Sequence, residues 1–305
     1  MQDEWIESYL SAGKAVIAAK KLAEKLIKPG ISFLEIANKC EDEIINQGCE
    51  LSFPINMSLN EIAAHYSPPI DDKTVVPDYG LLKIDLGAHF NGYIADSAFT
   101  INISNDEKLQ VFIDAADQAL EAAIAIFRPG TKLYELGNVI EQSIKSHGLN
   151  PVYNLGGHEL QQNILHAGNF IPNSKDERHN HRLQKGDCYA CEPFSTSGDG
   201  WVKNGKKSYI FRFKKQIRKN MSYEHQNYMN KIKNNCGNLP FSPRFIEKKN
   251  LIPKNRIYKI IDLFVRKGIL DHYPILIERT GAFVAQQEHT IIIDMDGNPF
   301  VTTRE

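Results

Sequence analysis

The sequence contains no apolar run approaching the ~18 residues of a membrane-spanning helix, which argues against an integral helical membrane protein. Its first ten positions carry Asp3, Glu4 and Glu7, so no secretory leader is expected there. Cysteine is scarce and odd in number. Cys40, Cys49, Cys188, Cys191 and Cys236 are scattered, which indicates no disulfide framework and fits a reducing cytoplasm. There is no G-x-x-x-x-G-K-[ST], G-x-G-x-x-G or G-x-S-x-G, so phosphate-cradle, dinucleotide and nucleophile-elbow chemistries lose their local signatures. His158-Glu159 opens like a zinc-protease helix but has no second histidine, and Cys188 and Cys191 lack a second C-x-x-C pair. What remains is globular: 305 residues, 42% hydrophobic and 24% charged, room for one large domain or two of about 150 residues.

The net charge of −1 conceals an asymmetry. Residues 203–267 hold 18 Lys and Arg against three acids, Glu224, Glu247 and Asp262. A segment so basic has its own partner or simply a solvated lysine-rich surface.

The chain repeats itself at an offset of 100. Pro29-Gly30, Glu35, Asn38, Glu41, Ile44 and Gly48 recur as Pro129-Gly130, Glu135, Asn138, Glu141, Ile144 and Gly148. Apolar residues at i, i+3, i+4 and i+7 predict a helix over 8–27 and another over 110–127, each stopped by Pro-Gly. A second amphipathic helix follows in each copy, over 32–47 and 133–147. Strand patterns come next, at 81–86, 98–103, 188–194 and 282–293. The expectation is an α+β domain with pseudo-twofold symmetry, its halves about 1–105 and 106–305, and ligands drawn from both. The catalytic domain would comprise 1–200 and 272–305. The basic stretch, 201–271, reads as an inserted, mostly helical subdomain with a short helix over 254–269.

Acids and imidazoles interrupt the apolar runs in four places, where an unpaired charge is costly. They are Asp85 with Asp96, His158 with His166, Glu192, and Glu288. Glycines 87 and 92 are expected to turn the chain between Asp85 and Asp96 and set the two carboxylates side by side. Two Asp, one His and two Glu form an oxygen-rich set that stays ionised in a dry interior only if cations compensate it. Such a set suits Mn, Fe, Co or Zn, alone or as a pair with bridging carboxylates.

Those same residues resemble a known family. Asp85-Leu86-Gly87-Ala88-His89 through Asp96-Ser97-Ala98-Phe99-Thr100 is similar to the first metal motif of methionine aminopeptidases. Gly157-His158, His166-Ala167-Gly168, Glu192-Pro193-Phe194-Ser195-Thr196 and Ala285-Gln286-Gln287-Glu288-His289-Thr290 follow in the family's order, and Leu59 through His65 to Pro68 matches as well. The long span from Glu192 to Glu288, with Leu239-Pro240-Phe241, Arg244-Phe245 and Tyr273-Pro274, resembles the type 2 branch. The missing N-terminal extension looks archaeal. Gln287 departs from the family's usual aromatic, and 201–238 matches only loosely.

The resemblance implies a duplicated pita-bread fold and removal of the N-terminal methionine from nascent chains, with preference for a small second residue. By the same likeness Asp85, Asp96, His158, Glu192 and Glu288 hold two divalent metals (Co, Mn, Fe or Zn), bridged by Asp96 and Glu288. Glu192 would shuttle the proton, His166 would steady the carbonyl oxygen and His65 would meet the scissile amide on its leaving side. Phe53, Leu165 and Tyr273 would line the methionine pocket. A cytoplasmic monomer without membrane contact is expected, its basic insertion a candidate for docking to ribosomal RNA. Two alternatives stay open: an X-Pro peptidase of the same fold, or an inactive relative that binds nucleic acid or ribosomes.

Overall fold

The computed structural model describes residues 2–214 and 221–305. The first half runs α1 (Gln2–Leu26), α2 (Phe33–Asn46), β1 (Glu50–Leu59), β2 (Ile62–Ala64), β3 (Leu81–Phe90) and β4 (Tyr93–Asn102). The second begins with α3 (Glu107–Ala125) and α4 (Leu133–Ser146), then β5 (Asn150–Pro151), β6 (Gly156–Glu159), β7 (Phe170–Pro172), β8 (Cys188–Cys191) and β9 (Phe194–Thr196). After β10 (Val202–Phe213) come α5 (Tyr223–Cys236), α6 (Pro243–Lys248) and α7 (Ile257–Arg266), and then β11 (Leu270–Glu278). β12 (Val284–Gln286), β13 (His289–Ile293) and β14 (Pro299–Val301) close the chain.

The offset of 100 reappears in three dimensions. α2 and α4 begin and end 100 residues apart, at Phe33 and Leu133 and at Asn46 and Ser146. Ahead of each, a Pro-Gly turn is tied down by the same pair of bonds. Gly30 N donates to Val76 O and Val76 N to Ile31 O; Gly130 N donates to Leu183 O and Leu183 N to Thr131 O. Small residues let α1 lie close to its sheet: Ala12, Ala15, Val16, Ala19 and Ala23, at helical spacing, are all fully buried. Asp106 starts α3 by accepting from Lys108 N at 2.9 Å. Each half packs its helix pair over strands around its own apolar cluster.

β3 and β4 form a hairpin closed by Asn91 and Gly92, with φ of 52° and 83°. Two left-handed residues there give the turn whose twist suits antiparallel strands. The turn therefore lies at Asn91-Gly92, and Gly87 is part of the strand, opposite Asp96. A Cβ on Gly87 would sit 2.2 Å from Ser52 Oγ and 2.3 Å from the Phe53 ring, so close packing against β1 requires glycine. The expected strands at 188–194 and 282–293 are each split in two, at Glu192-Pro193 and at Gln287-Glu288.

Two strands frame the three helices of the basic segment. β10 occupies 202–213, where the sequence pattern offered no strand, because its lysines mask the alternation. It pairs with β11, and β11 pairs with β2 of the first half, in the order β10-β11-β2. α7 buries Ile257, Ile260, Ile261 and Phe264, joining Phe211, Phe213, Tyr228 and Phe241 in a separate apolar cluster. Lys215, Arg218 and Lys219 of the basic stretch lie outside the described residues.

Candidate metal centre

A cavity of about 210 Å³ opens where the two halves meet β10 and β11, and Asp85, Asp96, His158, Glu192 and Glu288 all line it. Each arrives by a separate structural device. Asp85 pairs in register with Ala98, and Asp96 with Gly87, which puts both acids on one face of the β3–β4 hairpin as diagonal neighbours. His158 is on β6, paired with Ala190 of β8. Glu192 and Glu288 stand in the breaks between β8 and β9 and between β12 and β13. Gln287 N donates to Pro193 O, locking one break onto the other, and Glu288 N donates to Ala98 O, locking it onto the hairpin.

His158 Nε2 lies 3.6 Å from Asp96 Oδ2 and 3.8 Å from Glu192 Oε1. Asp96, His158 and Glu288 each offer a ligand atom within 4.8 Å of the others. Two amides organise the acids: Gln286, which lay in a motif without a stated role, and Asn56, which no motif contained. Asn56 Nδ2 donates to Asp85 Oδ2 at 2.8 Å. Gln286 Nε2 reaches both Glu192 Oε2, at 3.2 Å, and Glu288 Oε2, at 3.4 Å.

Burial sets the electrostatics. It pushes the Asp85 carboxyl up to about 7, against the pull of the Asn56 amide. Asp96, Glu192 and Glu288 are driven well above the usual carboxylate range by burial first, and second by a neighbouring acid: Asp85 for Asp96, and Asp96 for both Glu192 and Glu288. Burial also lowers His158 to about 4, leaving a neutral imidazole, the form that ligates metals. Among the described residues, no Lys or Arg lines the cavity. Lys20 acts on Glu288 only from behind, through Ser97: its Nζ donates to Ser97 Oγ at 3.1 Å, and Ser97 Oγ donates to Glu288 O.

Asp85 Oδ1 and Asp96 Oδ1 are buried without any hydrogen-bond partner. Two orphaned carboxylate oxygens, four acids and one neutral imidazole in a cavity whose described lining has no cationic side chain fit divalent cations.

His166 and His65 share the cavity with Phe53, Leu165 and Tyr273. The His166 ring is 4.3 Å from that of His158 and stacks on Tyr273 at 6.2 Å; His65 meets Tyr273 edge-on at 5.5 Å. Burial lowers both imidazoles; for His166, the neighbouring His158, His65 and Arg212 push the same way. His65 Nδ1 lies 3.1 Å from Pro274 O. A carbonyl only accepts, so Nδ1 carries the proton and Nε2 keeps a lone pair. Ala64, Ile210, Pro240 and Leu276 complete an apolar wall.

Residues 7–233 match Metallopeptidase family M24. The methionine aminopeptidase of Methanothermobacter thermautotrophicus is 41% identical over 298 residues, covering 97% of this chain and 98% of that protein. In fold, the chain is similar to a thermophilic Arx1 (TM-score 0.87, 17% identity, 99% of this chain and 91% of that one). It is also similar to the methionine aminopeptidase of Thermotoga maritima (TM-score 0.72, 21% identity, 100% and 98%).

Proposed function

The chain belongs to metallopeptidase family M24, and from that premise we propose that it is a pita-bread aminopeptidase that removes the N-terminal methionine of newly made polypeptides. One observation carries the reading: the five residues of the family's metal motifs converge on one cavity that, among the described residues, holds no cationic side chain. A full-length relative at 41% identity that is named methionine aminopeptidase supports the same substrate.

Asp85, Asp96, His158, Glu192 and Glu288 would hold two divalent ions. When bound, such ions supply an acidified water and polarise a carbonyl. The remaining work belongs to the side chains. Glu192, steadied by Gln286 at 3.2 Å, is placed to take a proton and return it to the departing amine. His166 stays neutral, so its N–H can donate to the carbonyl oxygen as charge develops there. His65, its Nδ1 proton spent on Pro274 O, presents Nε2 as an acceptor for an N–H on the leaving side. Phe53, Leu165 and Tyr273 form an apolar slot suited to an unbranched, adaptable thioether.

Docking of the insertion to ribosomal RNA has support from exposed Lys203, Lys206, Lys207, Lys231, Lys249 and Lys259. Other cations there are engaged with acids, such as Lys248 with Asp42 and Arg266 with Asp262. Binding to ribosomes should fall steeply with salt if the docking is real, and equal binding by a charge-neutralised insertion would refute it. Five unpaired thiols accord with a cytoplasmic home, and no described helix is long and apolar enough to cross a membrane.

The test of the activity is methionine release from a Met-Ala-Ser peptide after chelation and re-addition of Mn, Co, Fe or Zn, beside an X-Pro peptide. Release of methionine supports the reading. Activity on X-Pro alone would assign a prolidase, and inactivity with every metal would leave a binding protein.

A further inference from the structure

Arg244, on α6, and Glu41, on α2, are 203 residues apart in sequence, and each is only 5% exposed. All five guanidinium N–H groups find acceptors. Nη1 donates to Glu41 Oε2 at 2.7 Å and to Asn38 Oδ1 at 3.0 Å. Nη2 donates to Glu41 Oε1 at 2.7 Å and to Ser67 Oγ at 3.3 Å, and Nε to Pro68 O at 2.7 Å. Glu41 Oε1 also accepts from Ile55 N at 3.3 Å, on the stretch of β1 between Phe53 and Asn56. Both of those flanking residues line the cavity.

Two of the five bonds end on the segment that immediately follows His65. His65 has φ of +68°, a left-handed conformation that is strained for a residue with a bulky side chain. Such backbone persists only where its surroundings over-determine it. On one side the imidazole is tied to Pro274 O of β11. On the other, Met57 N donates to Tyr66 O at 2.7 Å, and Arg244 grips Ser67 and Pro68. An apolar pair could hold α6 against α2 as firmly as an ion pair does. It could not donate to Ser67 Oγ and Pro68 O. The directional content of the pair is thus spent on the loop beneath His65.

We propose that Arg244, fixed by Glu41, is a positioning residue of the hydrolysis: it holds the Ser67 hydroxyl and the Pro68 carbonyl and so aims the His65 imidazole into the cavity. This builds on the reading of His65 as a substrate contact. The insertion then shapes the site by placing a first-half residue as well as by lending Ile210 and Pro240 to the wall.

A double-mutant cycle tests it, with peptide kinetics of His65→Ala, Arg244→Lys and the combination. Arg244→Lys keeps the charge opposite Glu41 and loses the fork. It should lower kcat about tenfold with KM within about twofold, and cost less than about twofold in the His65→Ala background. Histidine-selective NMR of the metal-free protein supplies a second readout: the His65 ring signals should shift in Arg244→Lys while those of His147, which caps the C-terminus of α4 in the second half, stay put. Should Arg244→Lys fail to fold, the pair Glu41→Gln with Arg244→Met removes both charges together and enters the same cycle. Equal losses in both backgrounds, or unmoved His65 signals, would overturn the proposal alone. An inert His65→Ala would overturn the reading of His65 and the proposal with it.

Discussion

The Glu41 carboxylate and the carboxylates of the cavity are both withdrawn from water, and the protein treats them in opposite ways. Glu41 has a guanidinium on both oxygens and a backbone N–H besides. Asp85, Asp96, Glu192 and Glu288 receive two amides and no facing cation, and two of their oxygens have no partner at all. An acid that the chain itself neutralises is finished as architecture. Acids left short of charge and hydrogen bonds keep a capacity for something brought in from solution, and four such acids around one imidazole keep it for dications.

Breaking the second cluster has the largest expected effect. Asp96→Ala, or exhaustive chelation of the wild type, should reduce methionine release from Met-Ala-Ser by at least about 10³, since the ions supply several kcal/mol of transition-state stabilisation. Added metal should restore the chelated wild type and leave the variant inactive. Breaking the first cluster should harm the fold more than the chemistry. Glu41→Gln leaves a buried guanidinium half-paired and should destabilise by about 3–5 kcal/mol in urea unfolding, and replacing both partners together should cost much less. If Glu41→Gln left stability unchanged, the contrast between the two clusters would collapse. His166→Ala sits between the two, and loss of its donor should lower kcat by about 10²–10³ with little change in unfolding.

A subtler effect separates the clusters by pH. The cavity carboxyls have folded values above their unfolded ones, Asp85 at about 7 and the other three well above the usual range. A raised carboxyl contributes stability that is present below its unfolded pKa and lost as pH rises through its folded one. The melting temperature of the chelated protein should therefore fall between about pH 4 and 8. The fall should shrink in Asp85→Asn with Asp96→Asn, and saturating metal should suppress it by binding the ionised form. Scanning calorimetry at pH 5 and pH 8, with and without chelator, checks the sign.

Much of this was visible in the chain before folding. The Pro-Gly repeat located both helix pairs because one local turn recurs with the same bonds. Asp85 and Asp96 stood out as acids in apolar runs. The breaks that carry Glu192 and Glu288 were less visible. Pro193 signals its own break, since proline cannot donate to a ladder, but nothing local marks Gln287-Glu288. β1 carries Pro54 in its middle, and β10 is an edge strand whose Lys203, Lys206 and Lys207 read as polar loop. Arg244 fell within a recognised motif, yet its work was hidden because its partners lie 176 to 206 residues away along the chain and only folding brings them together. Long-range satisfaction of charge leaves no local pattern; unsatisfied charge inside an apolar run does.

Metal analysis of the protein purified without chelator decides the matter most directly, comparing wild type with Asp96→Ala. About two divalent ions per chain in the wild type and fewer than one in the variant is the expected result. Equal metal content in both, or a wild type that is metal-free and fully active in excess chelator, would contradict it.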